Sequence, residues 1–195
     1  MNGIMFLSFL IFSSVTMNLI LQCGIGIKGA AEAKNPINAS TFVKSLIIFF
    51  AVILLWLFFS KIIISISSGI FIYVLLFPVT SIVYNGFEFL IFRYLLEKDP
   101  KEEGIICFPC GITAIALFYC INIADDFLQA VVISFGFTVG IFLVNLIIRE
   151  IRKRAALEAV PVFMRGKPLV LVSMGLLSLI FSTASLLLFR VIGFR

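Results

Sequence analysis

The chain has 195 residues, 62% of them hydrophobic and only 13% charged, with a formal net charge of +5 at pH 7. A water-soluble domain carries about 25% charged residues, and a chain with 23 Phe cannot hide its apolar side chains in one core. Composition therefore excludes a soluble enzyme, a disordered chain and a nucleic-acid module, and it places most of the surface in lipid.

Crossing ~30 Å of hydrocarbon takes about 20 apolar residues at ~1.5 Å of rise each. Six charge-free stretches meet that need. Met1–Ile27 reads as a retained first helix, because it lacks the basic start of a signal peptide and its apolar run is too long for one. Ser45–Ser60 is the shortest stretch; Lys44 and Lys61 extend it by laying their methylene stems along lipid. Ile62–Phe87 is too long for one crossing, so Ser65–Gly69 reads as an external turn and the helix as running from about Ile70 to Phe92. Gly104–Ala124, Phe127–Ile148 and Pro168–Phe189 complete the set.

Twelve of the 15 Lys and Arg fall in the three odd-numbered connections, among them Arg149-Glu-Ile-Arg-Lys-Arg154, and three fall on the other side. The positive-inside rule then puts those connections in the cytoplasm and both termini outside. The fold class expected is an all-α integral membrane protein of six transmembrane helices, a single domain over residues 1–195. Three spans per half make an inverted pair of repeats, about 1–92 and 104–195. A Cys-Gly-Ile tripeptide recurs in each half, at Cys23-Gly-Ile25 and Cys110-Gly-Ile112. Gly24, Gly26 and Gly29 crowd the end of the first span, and Pro109 and Gly111 interrupt the fourth. Helices 1 and 4 are therefore expected to be broken, and broken helices persist at membrane depth only when packed in protein or lining a site.

The chain has no His, which removes His-based metal sites and His-dependent dyads or triads. Cys23, Cys107, Cys110 and Cys120 all lie in apolar stretches, a pattern that argues against structural disulfides. Two readings stay open for Cys23 and Cys110: small buried hydrophobes, or thiolate ligands to an iron–sulfur cluster completed by a second chain. Cys120 reads as packing. Glu88 is the one acidic residue well inside a span and needs a purpose or a partner. It reads either as a cation-handling group assisted by Asn18 or Asn85, or as the ion-pair partner of Arg93 one turn away. Asp125 and Asp126 read as an interface cap, and Asn145 as an interhelical hydrogen-bonding group.

The stretch Phe127-Leu-Gln-Ala130, Gly136-Phe-Thr-Val-Gly140, Arg149-Glu150, Val160-Pro-Val-Phe-Met-Arg-Gly166 and Met174-Gly-Leu-Leu-Ser178 resembles the RnfA/NqrE-type membrane subunits of the Rnf and Nqr complexes. The likeness is thinner, but in register, around Asn18 and Glu88. It implies an ion-translocating electron transport subunit of the bacterial cytoplasmic (inner) membrane, belonging to an NADH:quinone or ferredoxin:NAD oxidoreductase. It also implies a [2Fe–2S] cluster shared with a paralogous RnfE/NqrD-type partner, coupled to Na⁺ or H⁺ movement. Flavin and further iron–sulfur centres would sit on other subunits, since this chain carries no nucleotide or flavin motif and no nucleic-acid module. Carried over by residue, Cys110 matches one cluster ligand. With Asn18 and Gly26 in register, Lys28 falls at the other ligand's position, which leaves Cys23, Cys107 or neither for that role. On the cation-handling reading, Glu88 and Asn18 are the ion-pathway candidates. Two other readings are the vitamin-binding S component of an energy-coupling-factor transporter and a scaffold subunit without a cluster.

Overall fold

The computed structural model describes residues 3–21, 39–65, 69–95, 108–157, 161 and 167–192, and every regular element among them is helical. Helix α1 (Gly3–Ile11) runs into a π-helical turn, Phe12–Thr16. Then come α2 (Ala39–Ser65), α3 (Gly69–Leu95), α4 (Phe108–Ile123), α5 (Phe127–Leu157) and α6 (Lys167–Ile192). Four of these, α2, α3, α5 and α6, are long and apolar enough to cross a membrane, while α1 with its π turn and α4 are shorter apolar helices. The 16 residues of α4 rise about 24 Å, less than the ~30 Å of a hydrocarbon core.

Helix limits follow the charge-free stretches closely, with three differences. First, α2 begins before Lys44, so that lysine stands on the helix and not in the preceding loop. Second, α5 continues past Ile148 to Leu157 and carries Arg149, Arg152, Lys153 and Arg154 as a helical extension. Arg154 and Glu150 pair there at 3.2 Å, both exposed, an arrangement that contributes little to stability. Third, Pro109 and Gly111 stand in the first turn of α4, where a missing proline N–H costs no helical hydrogen bond, and residues 104–107 of the expected span lie outside the described residues. The turn between α2 and α3 agrees with expectation at both ends, Ser65 and Gly69. Residues 66–68 lie outside the described residues, as do Gly24, Gly26, Gly29 and most of the first and last basic connections.

Helix α4 sits between α2, α3 and α5, which all pack on it. α2 also lies against α3 and α5, and α5 takes α1, the π turn and α6. Ile47, Leu55, Tyr84, Leu117, Ile133 and Phe137 fill the interior. Outward, Val74 and Ile82 of α3 and Leu176 and Leu179 of α6 stand exposed. A surface this apolar fits lipid or another membrane chain and would aggregate in water.

The short connection between α4 and α5 is a cap. Asp125 N–H donates to Gln129 Oε1 at 3.0 Å, and Ala130 N–H to the Asp126 carbonyl at 3.0 Å. A side chain three residues into a helix reaching back to the chain before it satisfies a donor left over at the helix start.

Candidate functional site

The first helix breaks earlier than its glycines suggest. At Met17 the backbone leaves the helix (φ −101°, ψ 40°), with Met17 N–H closing the π turn on the Phe12 carbonyl at 2.9 Å. Ser13 and Ser14 line that turn, both buried, and Ser13 Oγ donates back to the Phe9 carbonyl at 2.8 Å. Serine back-bonding of this kind loosens and bends a helix.

Asn18 holds the break. Its Nδ2 donates to the carbonyls of Ser14 and Gly140, each at 3.1 Å. Its Oδ1 accepts from the N–H groups of Ile20 at 3.2 Å and Leu21 at 3.3 Å. Each peptide group freed by ending a helix in lipid costs several kcal/mol if left unmet. One buried carboxamide meets two freed amides and ties the segment to α5. The backbone approach is close because α5 offers glycine on that face. A Cβ added at Gly140 would meet the Ser14 carbonyl oxygen at 2.6 Å, and one at Gly136 would overlap the Ser13 side chain. Gly136 and Gly140 form a small-xxx-small groove that takes the π turn. Without a hydrophobic drive between helices in lipid, packing and hydrogen bonds of this sort hold them together. The four-residue glycine spacing was the sequence signal for this role.

Cys110 lies in the first turn of α4 and is fully buried. It is disulfide-bonded, which corrects the expectation drawn from apolar surroundings. Apolar surroundings do not by themselves keep sulfurs apart, since tertiary contacts decide which cysteines pair. Cys120 is a free, buried thiol, so the partner sulfur belongs to a cysteine outside the described residues, where Cys23 and Cys107 both lie. Lys28 lies outside them too. Cys120 packs with its sulfur 3.4 Å from Ser134 Oγ.

Asn85 of α3 places Oδ1 3.6 Å from Cys110 Sγ. It therefore faces the cysteine, where the sequence suggested a role beside a cation. One turn on, Glu88 pairs with Lys44 of α2 at 3.0 Å, both side chains largely shielded. This replaces the pairing with Arg93, whose guanidinium instead stacks over the Phe89 ring at 5.4 Å. The lysine was missed because sequence distance hides the α2–α3 contact. Among the described residues, no three of Cys, Asp and Glu gather as a metal site.

Cys110 is the described residue that would serve a shared iron–sulfur cluster, as a thiolate ligand once its disulfide is reduced. A four-cysteine cluster takes its other ligands elsewhere.

No family model matches the chain. Over 187 residues, 89% of this chain and 93% of the relative, it is 29% identical to the RnfA component of the ion-translocating oxidoreductase complex of Buchnera aphidicola subsp. Schizaphis graminum. It is 36% identical over 77 residues to the protein of the same name from Escherichia coli K12, a match spanning 40% of this chain and 39% of that protein. The corresponding protein of Citrobacter koseri matches to the same extent.

Proposed function

From the RnfA-type character that the chain shares with these relatives, we propose that it is a multi-pass membrane subunit of an Rnf/Nqr-like ion-translocating oxidoreductase in a bacterial cytoplasmic membrane. It passes electrons across the membrane by way of a [2Fe–2S] cluster held between this chain and a paralogous partner, with Na⁺ or H⁺ moved in step. Flavin and nucleotide chemistry belong to other subunits of the complex.

The observation that carries the reading is Cys110 itself, buried and disulfide-bonded in the first turn of α4. When bound, the cluster supplies a one-electron carrier that this polypeptide lacks. The chain's own residues do the rest. Cys110 supplies a ligand, and Cys23 or Cys107 supplies the second. Leu19, Ile20, Leu21 and Leu117 belong to the same apolar core as Cys110 and keep water away. Asn18 and the Gly136–Gly140 groove fix the end of the broken first helix.

The helix partnerships support the inverted-repeat architecture. Exchanging α1 with α4, α2 with α5 and α3 with α6 turns the α1–α5 contact into α4–α2, the π-turn–α6 contact into α4–α3, and α2–α3 into α5–α6, and all are present. The Glu88–Lys44 pair supplies the counter-charge that a carboxylate inside a span needs, so ion handling by Glu88 requires that pair to open.

Iron and acid-labile sulfide in the natively purified complex, compared between the natural chain and Cys110→Ala, test the assignment. Loss of a [2Fe–2S] signal in the variant, with the partner subunit still bound, supports it. A scaffold role is the second reading, favoured by Lys28 at the matching ligand position, and it predicts no iron difference. The relatives' shared name speaks for the oxidoreductase reading over the vitamin-binding one.

A further inference from the structure

The basic extension of α5 has no part in the functions above. Three aromatic contacts set its depth. Trp56 meets Phe127 with ring centres 6.3 Å apart, Phe49 meets Phe135 at 6.1 Å, and Phe42 meets Phe142 at 6.5 Å. They share one antiparallel register between α2 and α5, so Ala39, the first residue of α2, lies level with the residues just before Ile148. From Phe127 to Ile148, α5 rises about 32 Å, the thickness of a hydrocarbon core. Past Ile148 the helix enters the headgroup layer, about 5–7 Å deep on each side. Arg149 stands in that layer at once. Lys153 follows about 8 Å past Ile148, on a stem long enough to reach back.

The same helix sets the direction in which these cations face. Leu128, Phe135 and Leu146 are exposed and form one outward stripe, because steps of seven and eleven residues come close to whole turns. Seven residues past Leu146 the stripe reaches Lys153, with Arg149 one turn before it, and both are exposed. Glu150 is taken by Arg154 at 3.2 Å. Arg152 is half-buried, off the stripe. The outward apolar stripe thus ends in two cations four residues apart, neighbours on the helix surface that can bracket one phosphate.

We propose that Arg149 and Lys153 bind the headgroup phosphate of an anionic phospholipid at the membrane end of α5. The proposal does not depend on the cluster reading. Anionic lipids attract basic residues placed next to a span. The guanidinium offers paired N–H donors to phosphate, and the ammonium adds a point charge. The occupant is a lipid and not free phosphate, because the stripe from Leu128 to Leu146 runs along the acyl chains of a lipid whose headgroup sits there.

The test uses the full chain in detergent, stripped of lipid and titrated with phosphatidylglycerol while native mass spectrometry counts the bound lipid. Arg149→Gln and Lys153→Gln are each expected to lose about 5-fold in affinity, the worth of one cation near an anionic surface, and the double variant more. Lys61→Gln, near the far end of α2, should leave the affinity unchanged. Phosphatidylcholine should bind the natural chain and the double variant alike. Both side chains are exposed, so thermal unfolding of the variants should match that of the natural chain. Equal phosphatidylglycerol affinity in the natural chain and the double variant overturns the proposal. So does displacement of the lipid by millimolar inorganic phosphate, which would make this an anion site without lipid character. In the assembled complex, a double variant that keeps its lipid and loses a neighbouring subunit also overturns it and assigns the two cations to an acidic protein surface.

Discussion

The side chain of Asn18 and the carbonyl of Gly140 meet at 3.1 Å across 122 positions of sequence, joining the end of the broken first helix to the middle of α5. The carboxamide is engaged on both its atoms, with two carbonyls on one side and two amides on the other. That is a structural task, and it bears on the idea of Asn18 as an ion ligand. Asn18→Asp loses both donors and sets a carboxylate against two carbonyl oxygens. Asn18→Leu removes the acceptor for the Ile20 and Leu21 amides and the tie to α5. Both variants are expected to lower the amount of assembled complex on a native gel. An Asn18→Asp chain that assembles normally and changes only ion transport would favour the ligand role.

The glycine groove makes a prediction with its own control. Gly140→Ala forces the added methyl against the Ser14 backbone, and Gly136→Ala against Ser13 and the Leu10 carbonyl. Overpacking of this kind costs about 1–3 kcal/mol. Gly86→Ala and Gly175→Ala meet nothing within 4 Å and are expected to be neutral or slightly stabilising, as replacing a mid-helix glycine usually is. Thermal unfolding in detergent separates the two pairs.

The architecture was legible because lipid imposes a simple rule: charges mark the ends of spans. Four helices long enough to span stand where charge-free stretches predicted them, and α2 ends at Ser65 and α3 begins at Gly69 as read. The site was legible only in part. Cys110 stood out by its Pro and Gly neighbours, yet its contact with Asn85 depends on how α3 meets α4, which no local pattern encodes. Glu88 was identifiable as a costly charge, but its partner was sought on the same helix. Lys44 lies 44 positions away in sequence and one helix over in space. The break at Met17 came before the glycines because it is set by Ser13, Ser14 and Asn18, which are polar groups rewriting the local hydrogen bonds.

The Lys44–Glu88 pair is expected to show in a double-mutant cycle. Lys44→Met and Glu88→Gln each remove half of a shielded pair. The coupling between them should fall within about 0.5–3 kcal/mol, the range for contacting residues. The exchanged pair, Lys44→Glu with Glu88→Lys, should recover part of the stability in the same thermal assay. If instead the two single effects simply add, the ion pair contributes nothing measurable.

In chain prepared without iron, the fold predicts one disulfide involving Cys110 and a free thiol at Cys120. Denaturing the protein without reduction and labelling it with a maleimide should modify Cys120 and spare Cys110. Cys110→Ala should release one further reactive cysteine, and mass spectrometry of the digest would identify it as Cys23 or Cys107. That result names the second sulfur at the site. Labelling of Cys110 itself under these conditions would show that the two sulfurs do not meet.

The central claim is that Cys110 lies on an electron path through the membrane. Its most direct test is the EPR spectrum of the natively purified complex after dithionite reduction, with iron and acid-labile sulfide measured on the same sample. The account predicts a [2Fe–2S] signal in the natural complex that disappears in Cys110→Ala while the subunits remain together. An identical spectrum and iron content in both samples would contradict it and leave the chain a scaffold within the complex.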